Sequence, residues 1–104
     1  ETDPKAAVEG CHVLYTDVWV SMGKEEESSR RIQLMEPYQV NRELVAAAAP
    51  DAVVMHCLPA YREKEITEEM LEAHSETIFT EAENRLHAQK AVLFTIGRRS
   101  WVDA

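Results

Sequence analysis

A chain of 104 residues has room for one small domain with a modest core, and its 45% hydrophobic content suits a folded unit rather than a disordered tail. Nineteen acidic side chains against eleven basic give a formal net charge of −8, which repels nucleic acid and anionic membranes and argues against both as partners. The chain has no apolar run of the roughly 18 residues that a membrane span needs, and acidic Glu1-Thr2-Asp3-Pro4 lacks the apolar stretch of a secretory leader.

Pro4 to Glu9 is predicted as a short helix, with Thr2 or Asp3 as its cap and Gly10 as its end. Cys11 to Thr16 is a strand, nearly continuously apolar as a buried parallel strand is. Val18 to Gly23 is the loop beyond it. Glu25 to Met35 reads as a helix, with Ile32 and Met35 on one face and Glu25-Glu26-Glu27 as a solvated start. Pro37 ends it. Tyr38-Gln39-Val40 is a connector, and Asn41 caps an alanine-rich helix from Arg42 to Ala49. Ala52 to His56 is the second strand, stopped by Pro59. Thr67 caps a helix from Glu68 to Ala73. Thr77 to Phe79 is expected to be extended. A long last helix is expected from about Ala82 to Ile96, with Gly97 as C-cap and Arg98 and Arg99 beyond it.

This order implies parallel strands joined by helical crossovers. The expected class is therefore α/β, a partial Rossmann-like parallel sheet with flanking helices. Two strands make half a sheet, since such domains ordinarily carry about five or six. Val13, Val53, Val54 and Leu93 are candidates for burial that half a sheet leaves incomplete.

In open α/β sheets, ligands bind just beyond the carboxyl ends of the strands. Two polar segments stand at such ends here: Asp17-Val18-Trp19-Val20-Ser21-Met22-Gly23 and His56-Cys57-Leu58-Pro59. A carboxylate, a hydroxyl and a thiol converging there suit an amine substrate. Asp17 is an acceptor for an ammonium group or, alternatively, a strand-end cap for a neighbouring turn. Cys57 faces a crevice and not a deep core, and its reactivity depends on nearby charge. His56 invites a Cys–His dyad, but neighbours along a strand point to opposite faces, which argues against it. Arg85 reads by itself as a helix arginine paired with Glu81 at i−4. Pro59 shapes the turn, with a cis Leu58-Pro59 bond open to it. Cys11 is expected to be a small buried hydrophobe. Two cysteines without a framework spacing suit a reducing, cytoplasmic setting. His12, His74 and His87 are scattered, no metal-ligand spacing stands out, and neither a dinucleotide fingerprint nor a P-loop is present.

Three motifs in order, D-V-W-V-S-M-G from Asp17, H-C-L-P from His56 and E-A-E-N-R from Glu81, resemble the C-terminal part of the ornithine carbamoyltransferase family. The likeness runs from about Ala7 to Leu93. It implies that residues 1–104 are the C-terminal portion of the amino-acid (ornithine) binding domain. The carbamoyl-phosphate domain, with its S-T-R-T-R and H-P-x-Q motifs, has no counterpart in this chain.

The resemblance implies that the complete enzyme joins carbamoyl phosphate to ornithine, giving citrulline and phosphate without a cofactor, as a homo-oligomer that is a trimer in the family. Asp17 would hold the amino-acid substrate. Ser21 and Met22 would hold its α-amino and α-carboxylate ends from a loop that closes over it. Cys57 would orient the reacting amine without covalent chemistry. Leu58 would offer its backbone carbonyl to substrate nitrogens, and Arg85 would reach the carbonyl oxygen of carbamoyl phosphate. Putrescine and an N-acylated ornithine are the alternative amines. A non-catalytic fragment or interaction module is the alternative for the chain by itself.

Overall fold

The computed structural model describes residues 1–20 and 28–102. Helix α1 (Pro4–Val8) begins at Asp3, whose side chain accepts the Lys5 N–H at 3.0 Å, so the cap is Asp3. Gly10 follows with φ of +71°, a left-handed conformation that a residue without a Cβ adopts at little cost. Strand β1 (Val13–Thr16) and strand β2 (Val53–His56) then pair in parallel as a two-stranded sheet. The α/β class and the parallel sheet are as expected.

Between the strands lie α2 (Ser28–Met35), a 3-10 turn (Glu36–Tyr38) and α3 (Arg42–Ala46). Ile32 and Met35 are the half-buried side chains of α2. The expected helix start at Glu25 lies outside the described residues, as does the end of the Val18–Gly23 loop. Asn41 caps α3 by accepting the Leu44 N–H at 3.0 Å, and α3 closes at Ala46, shorter than composition suggested. After β2, Thr67 caps α4 (Glu68–Ala73) by accepting the Met70 N–H at 3.3 Å.

The last helix departs most from expectation. Thr77 to Phe79 is not extended; it lies within α5 (Ser75–Val102). Thr-Ile-Phe favours strand locally, yet the Ile78 N–H bonds to the His74 carbonyl at 3.0 Å and its side chain is completely buried in the core. Tertiary burial outweighs a propensity worth a few tenths of a kcal/mol. Gly97 does not cap the helix either. It sits inside α5, since one glycine weakens a helix by only about 1 kcal/mol and ends it only when it turns left-handed. Arg98 stacks over the Phe94 ring one turn back, 5.6 Å from its centroid.

The core gathers Leu14, Val40, Leu44, Val54, Ile66, Met70, Leu71 and Ile78. One sheet face is packed and the other open. Leu14 and Val54 point into the core, whereas Val13 is 50% exposed and Val53 half-buried. Leu93, expected inside, is 70% exposed, because α5 runs on past the core with Leu86, Val92, Phe94 and Ile96 also uncovered. Among the described residues no helix is long and apolar enough to cross a membrane.

Candidate functional site

The register of the sheet builds the site. Thr16 pairs with His56, so the next residues, Asp17 and Cys57, emerge side by side. Side chains alternate along each strand. Tyr15 of β1 and Asp17 just beyond it therefore share the open face with Met55 of β2 and Cys57 just beyond it, while Leu14, Val54 and His56 turn to the core. The Cys57 thiol donates to Asp17 Oδ1 at 3.1 Å, and the Val18 N–H donates to the same oxygen at 2.7 Å. Asp17 Oδ2 carries no hydrogen bond among the described residues and stands as an open acceptor.

The electrostatics follow from that contact. The thiol hydrogen bond and the Val18 N–H hold the Asp17 carboxyl below the usual carboxylate range. The same hydrogen bond, with partial burial and the Asp17 charge, pushes the Cys57 thiol up. A raised thiol pKa keeps the proton on sulfur to higher pH, which disfavours nucleophilic chemistry. Asp17→Asn removes the charge that raises it. The variant is expected to alkylate Cys57 with iodoacetamide several-fold faster at pH 8, with Cys11 as internal reference. An unchanged Cys57 rate would show that Asp17 does not govern this thiol.

His56 leaves the thiol entirely. Its ring is completely buried. Nδ1 accepts the Leu58 N–H at 2.9 Å, so the ring proton belongs on Nε2, which faces Glu65 Oε1 at 3.0 Å. Glu65, also fully buried, takes the Tyr61 N–H on that same oxygen at 2.7 Å, and Oε2 has no partner among the described residues. The pair anchors the turn from β2. Leu58 there has φ of +51° and precedes a cis Leu58-Pro59 bond. A leucine rarely holds a left-handed conformation, and such residues persist only where surroundings enforce them. Here the Leu58 N–H is clamped by His56.

Arg85 comes from α5. It is exposed, and it lines an open cavity of about 500 Å³ with Tyr15, Cys57, Glu81, Asn84 and neighbouring alanines. The Glu81–Arg85 ion pair, the alternative reading of this arginine, does not form among the described residues. Glu81 Oε2 instead accepts the His56 N–H at 3.0 Å. Asp17 borders an adjacent cavity of about 580 Å³, and Tyr15 lines both. Cys57 thus connects Asp17, its hydrogen-bond partner, with the cavity that Arg85 lines. Leu58 follows at the turn, and Ser21 and Met22 lie outside the described residues.

Tyr15, Glu81 and Asn84 line the same cavity and were not foreseen from the sequence. Two of them, Tyr15 and Glu81, had a signal. Tyr15 stands two residues before Asp17, hence on the same strand face, and Glu81 stands four before Arg85, hence on the same helix face. The Tyr15 phenol is pushed up to about 12, first by the Glu81 carboxylate beside it, then by partial desolvation and by Cys57. Cys11 is half-buried, its thiol 3.3 Å from the Ala7 carbonyl. Among the described residues no group of His, Cys, Asp and Glu is placed to hold a metal ion.

An α/β unit whose parallel strands lead into a carboxylate and a thiol, with an arginine of α5 lining the adjoining cavity, has the layout in which open α/β sheets take ligands. Residues 1–96 match the aspartate/ornithine carbamoyltransferase family, Asp/Orn binding domain, and the chain belongs to that family. It is 59% identical over 91 residues to an ornithine carbamoyltransferase of Synechococcus elongatus, covering 88% of this chain and 30% of that protein. The anabolic ornithine carbamoyltransferase of Campylobacter jejuni superposes with a TM-score of 0.87 at 41% identity, covering 93% of this chain and 32% of that one. The Pyrococcus furiosus ornithine carbamoyltransferase superposes with a TM-score of 0.79 at 50% identity, covering 88% and 29%. The chain thus spans about 30% of the length of the curated relatives it matches.

Proposed function

We propose that this chain supplies the ornithine-binding side of a carbamoyltransferase, as the C-terminal portion of the amino-acid domain. The observation that carries the reading is Cys57 at the end of the parallel strands, bonded to Asp17 and lining one cavity with Arg85. The side-chain amine of ornithine attacks the carbonyl carbon of carbamoyl phosphate. A C–N bond forms, the C–O bond to phosphate breaks, and the proton that the neutral amine nitrogen loses goes to the departing phosphate, giving citrulline and hydrogen phosphate. Asp17 Oδ2 accepts a hydrogen bond from the amine and aims its lone pair. Cys57, protonated and held by Asp17, lies against the same nitrogen as an orienting group. The Arg85 guanidinium donates to the carbonyl oxygen as negative charge builds there. Contacts to the phosphate belong to the part of the enzyme that this chain does not span. Leu58, Ser21 and Met22 complete the ornithine contacts in this reading.

The test is a graft. This chain replaces the matching segment of the Synechococcus elongatus relative, and citrulline is assayed from ornithine and carbamoyl phosphate. Turnover is expected, and Arg85→Ala should lower kcat by on the order of a hundredfold, the range for removing one oxyanion donor. A folded graft that carbamoylates putrescine or an N-acylated ornithine in preference would move the reading to those amines. A folded graft inert toward all three would defeat it.

The chain alone is expected to give no citrulline. It is also expected to self-associate, because Leu86, Val92, Leu93, Phe94 and Ile96 are more than half exposed on α5 and, among the described residues, the outer edge of β1 pairs with no strand. Sedimentation should find dimers or larger species at micromolar concentration. A monomer that makes citrulline unaided would overturn both expectations.

A further inference from the structure

We propose that Glu81 is a positioning residue: its carboxylate fastens the early turns of α5 to the end of β2 and so holds Arg85 beside Cys57. The outer edge of β2 shows why a fastening is needed. No further strand pairs there among the described residues, yet alternate amides of that edge have partners. The Val54 N–H meets His74 Nδ1 at 3.4 Å, and the His56 N–H meets Glu81 Oε2 at 3.0 Å. The first side chain sits just before α5 and the second lies within it, so the helix seals the strand with side chains.

One side chain of α5 thus holds the last residue of β2 by its backbone. Arg85 lies one helical turn further on the same face, and Glu81, Arg85, Tyr15 and Cys57 line one cavity. Among the described residues Arg85 forms no salt bridge, so nothing on its own side chain sets its place. Its position is set by the backbone of α5, and Glu81 fixes that backbone against the end of β2. A cationic donor placed for a developing oxyanion acts only within a fraction of an ångström of its mark, and a misplacement of about 1 Å can cost on the order of a hundredfold in rate.

The carboxylate is needed here as an acceptor, not as a charge or a base. An amide oxygen at the same place accepts the same hydrogen bond, whereas alanine accepts none. The kinetic part rests on the carbamoyl-transfer reading; the structural part does not, and the two are read separately. In the graft, Glu81→Ala is expected to lower kcat by at least about tenfold. The KM for ornithine should stay within about threefold, because Asp17 and Cys57 are untouched. Glu81→Gln should restore kcat to within about threefold of the parent. Equal losses in the Gln and Ala variants would assign Glu81 a role in proton transfer and overturn the proposal, as would a Glu81→Ala variant with parental kcat.

One readout on the 104-residue chain needs no turnover. Hydrogen exchange at the His56 amide should accelerate at least about tenfold in Glu81→Ala and stay slow in Glu81→Gln. An unaltered His56 amide in Glu81→Ala would sink the fastening even if the graft made citrulline. A graft without turnover, with the His56 amide of the chain responding as described, would sink the carbamoyl-transfer reading and leave the fastening standing.

Discussion

Asp17→Ala in the grafted enzyme is expected to lower kcat/KM for ornithine by about a hundredfold or more, while the KM for carbamoyl phosphate stays within about threefold. A carboxylate facing an ammonium or amine in a closed site makes a charge-assisted hydrogen bond, and truncating one partner of such a pair costs about 2–5 kcal/mol, which is roughly 30- to several-thousandfold. The geometry places the loss on ornithine. Asp17 Oδ1 is already engaged by Cys57 and the Val18 N–H, so Oδ2 is the acceptor left for a substrate nitrogen. The carbamoyl contact is assigned to Arg85, which comes from another element and shares no hydrogen bond with Asp17. Initial rates with each substrate varied in turn separate the two. Equal losses for both substrates, with the fold intact, would mean that Asp17 supports the site as a whole and does not hold the amine.

Much of the fold was legible because its signals are local. Val13-Leu14-Tyr15 and Val53-Val54-Met55 are short apolar runs bounded by turn residues, and Asp3, Asn41 and Thr67 cap their helices through the side-chain oxygens that make them good caps. The separation of His56 from Cys57 was legible for the same reason, since alternation along a strand is a property of the backbone. The meeting of Asp17 with Cys57 followed from two strand ends in a parallel sheet. The unread parts depend on contacts distant in sequence. Thr77 to Phe79 is helical because Ile78 belongs to the core, and no neighbouring residue announces that. Glu81 turns to the His56 amide because β2 offers an unpaired edge, which no i−4 rule contains. Glu65 stands in the charged stretch Arg62-Glu63-Lys64-Glu65, the composition of a solvated loop, yet it is buried beneath the site. Local charge cannot reveal which of four polar side chains will find a histidine from a strand.

That buried pair leads to the largest expected effect on stability. His56 and Glu65 are both completely enclosed, and Nε2 lies 3.0 Å from Glu65 Oε1. His56→Leu nearly preserves volume but removes the donor to Glu65 and the acceptor for the Leu58 N–H. The carboxyl group then keeps the Tyr61 N–H alone, with Oε2 already unpartnered among the described residues. Removing one member of a buried polar pair costs about 3–5 kcal/mol, because the other is left behind in a medium that cannot solvate it. A loss of that size is a large part of the 5–15 kcal/mol that ordinarily holds a domain together. Glu65→Gln sharpens the test. With His56 present the amide oxygen still accepts from Nε2 and from the Tyr61 N–H, so the substitution should destabilise by about 1 kcal/mol, the scale of one neutral hydrogen bond. In the His56→Leu background it removes the stranded carboxyl group and should stabilise by about 1 kcal/mol or more. The same substitution thus changes sign with its partner, which a cavity or a lost packing contact would not produce. Urea unfolding of the four grafted proteins in this cycle measures it. Additive effects would mean that His56 and Glu65 contribute independently, and that the turn at Leu58 is held by something other than their hydrogen bond.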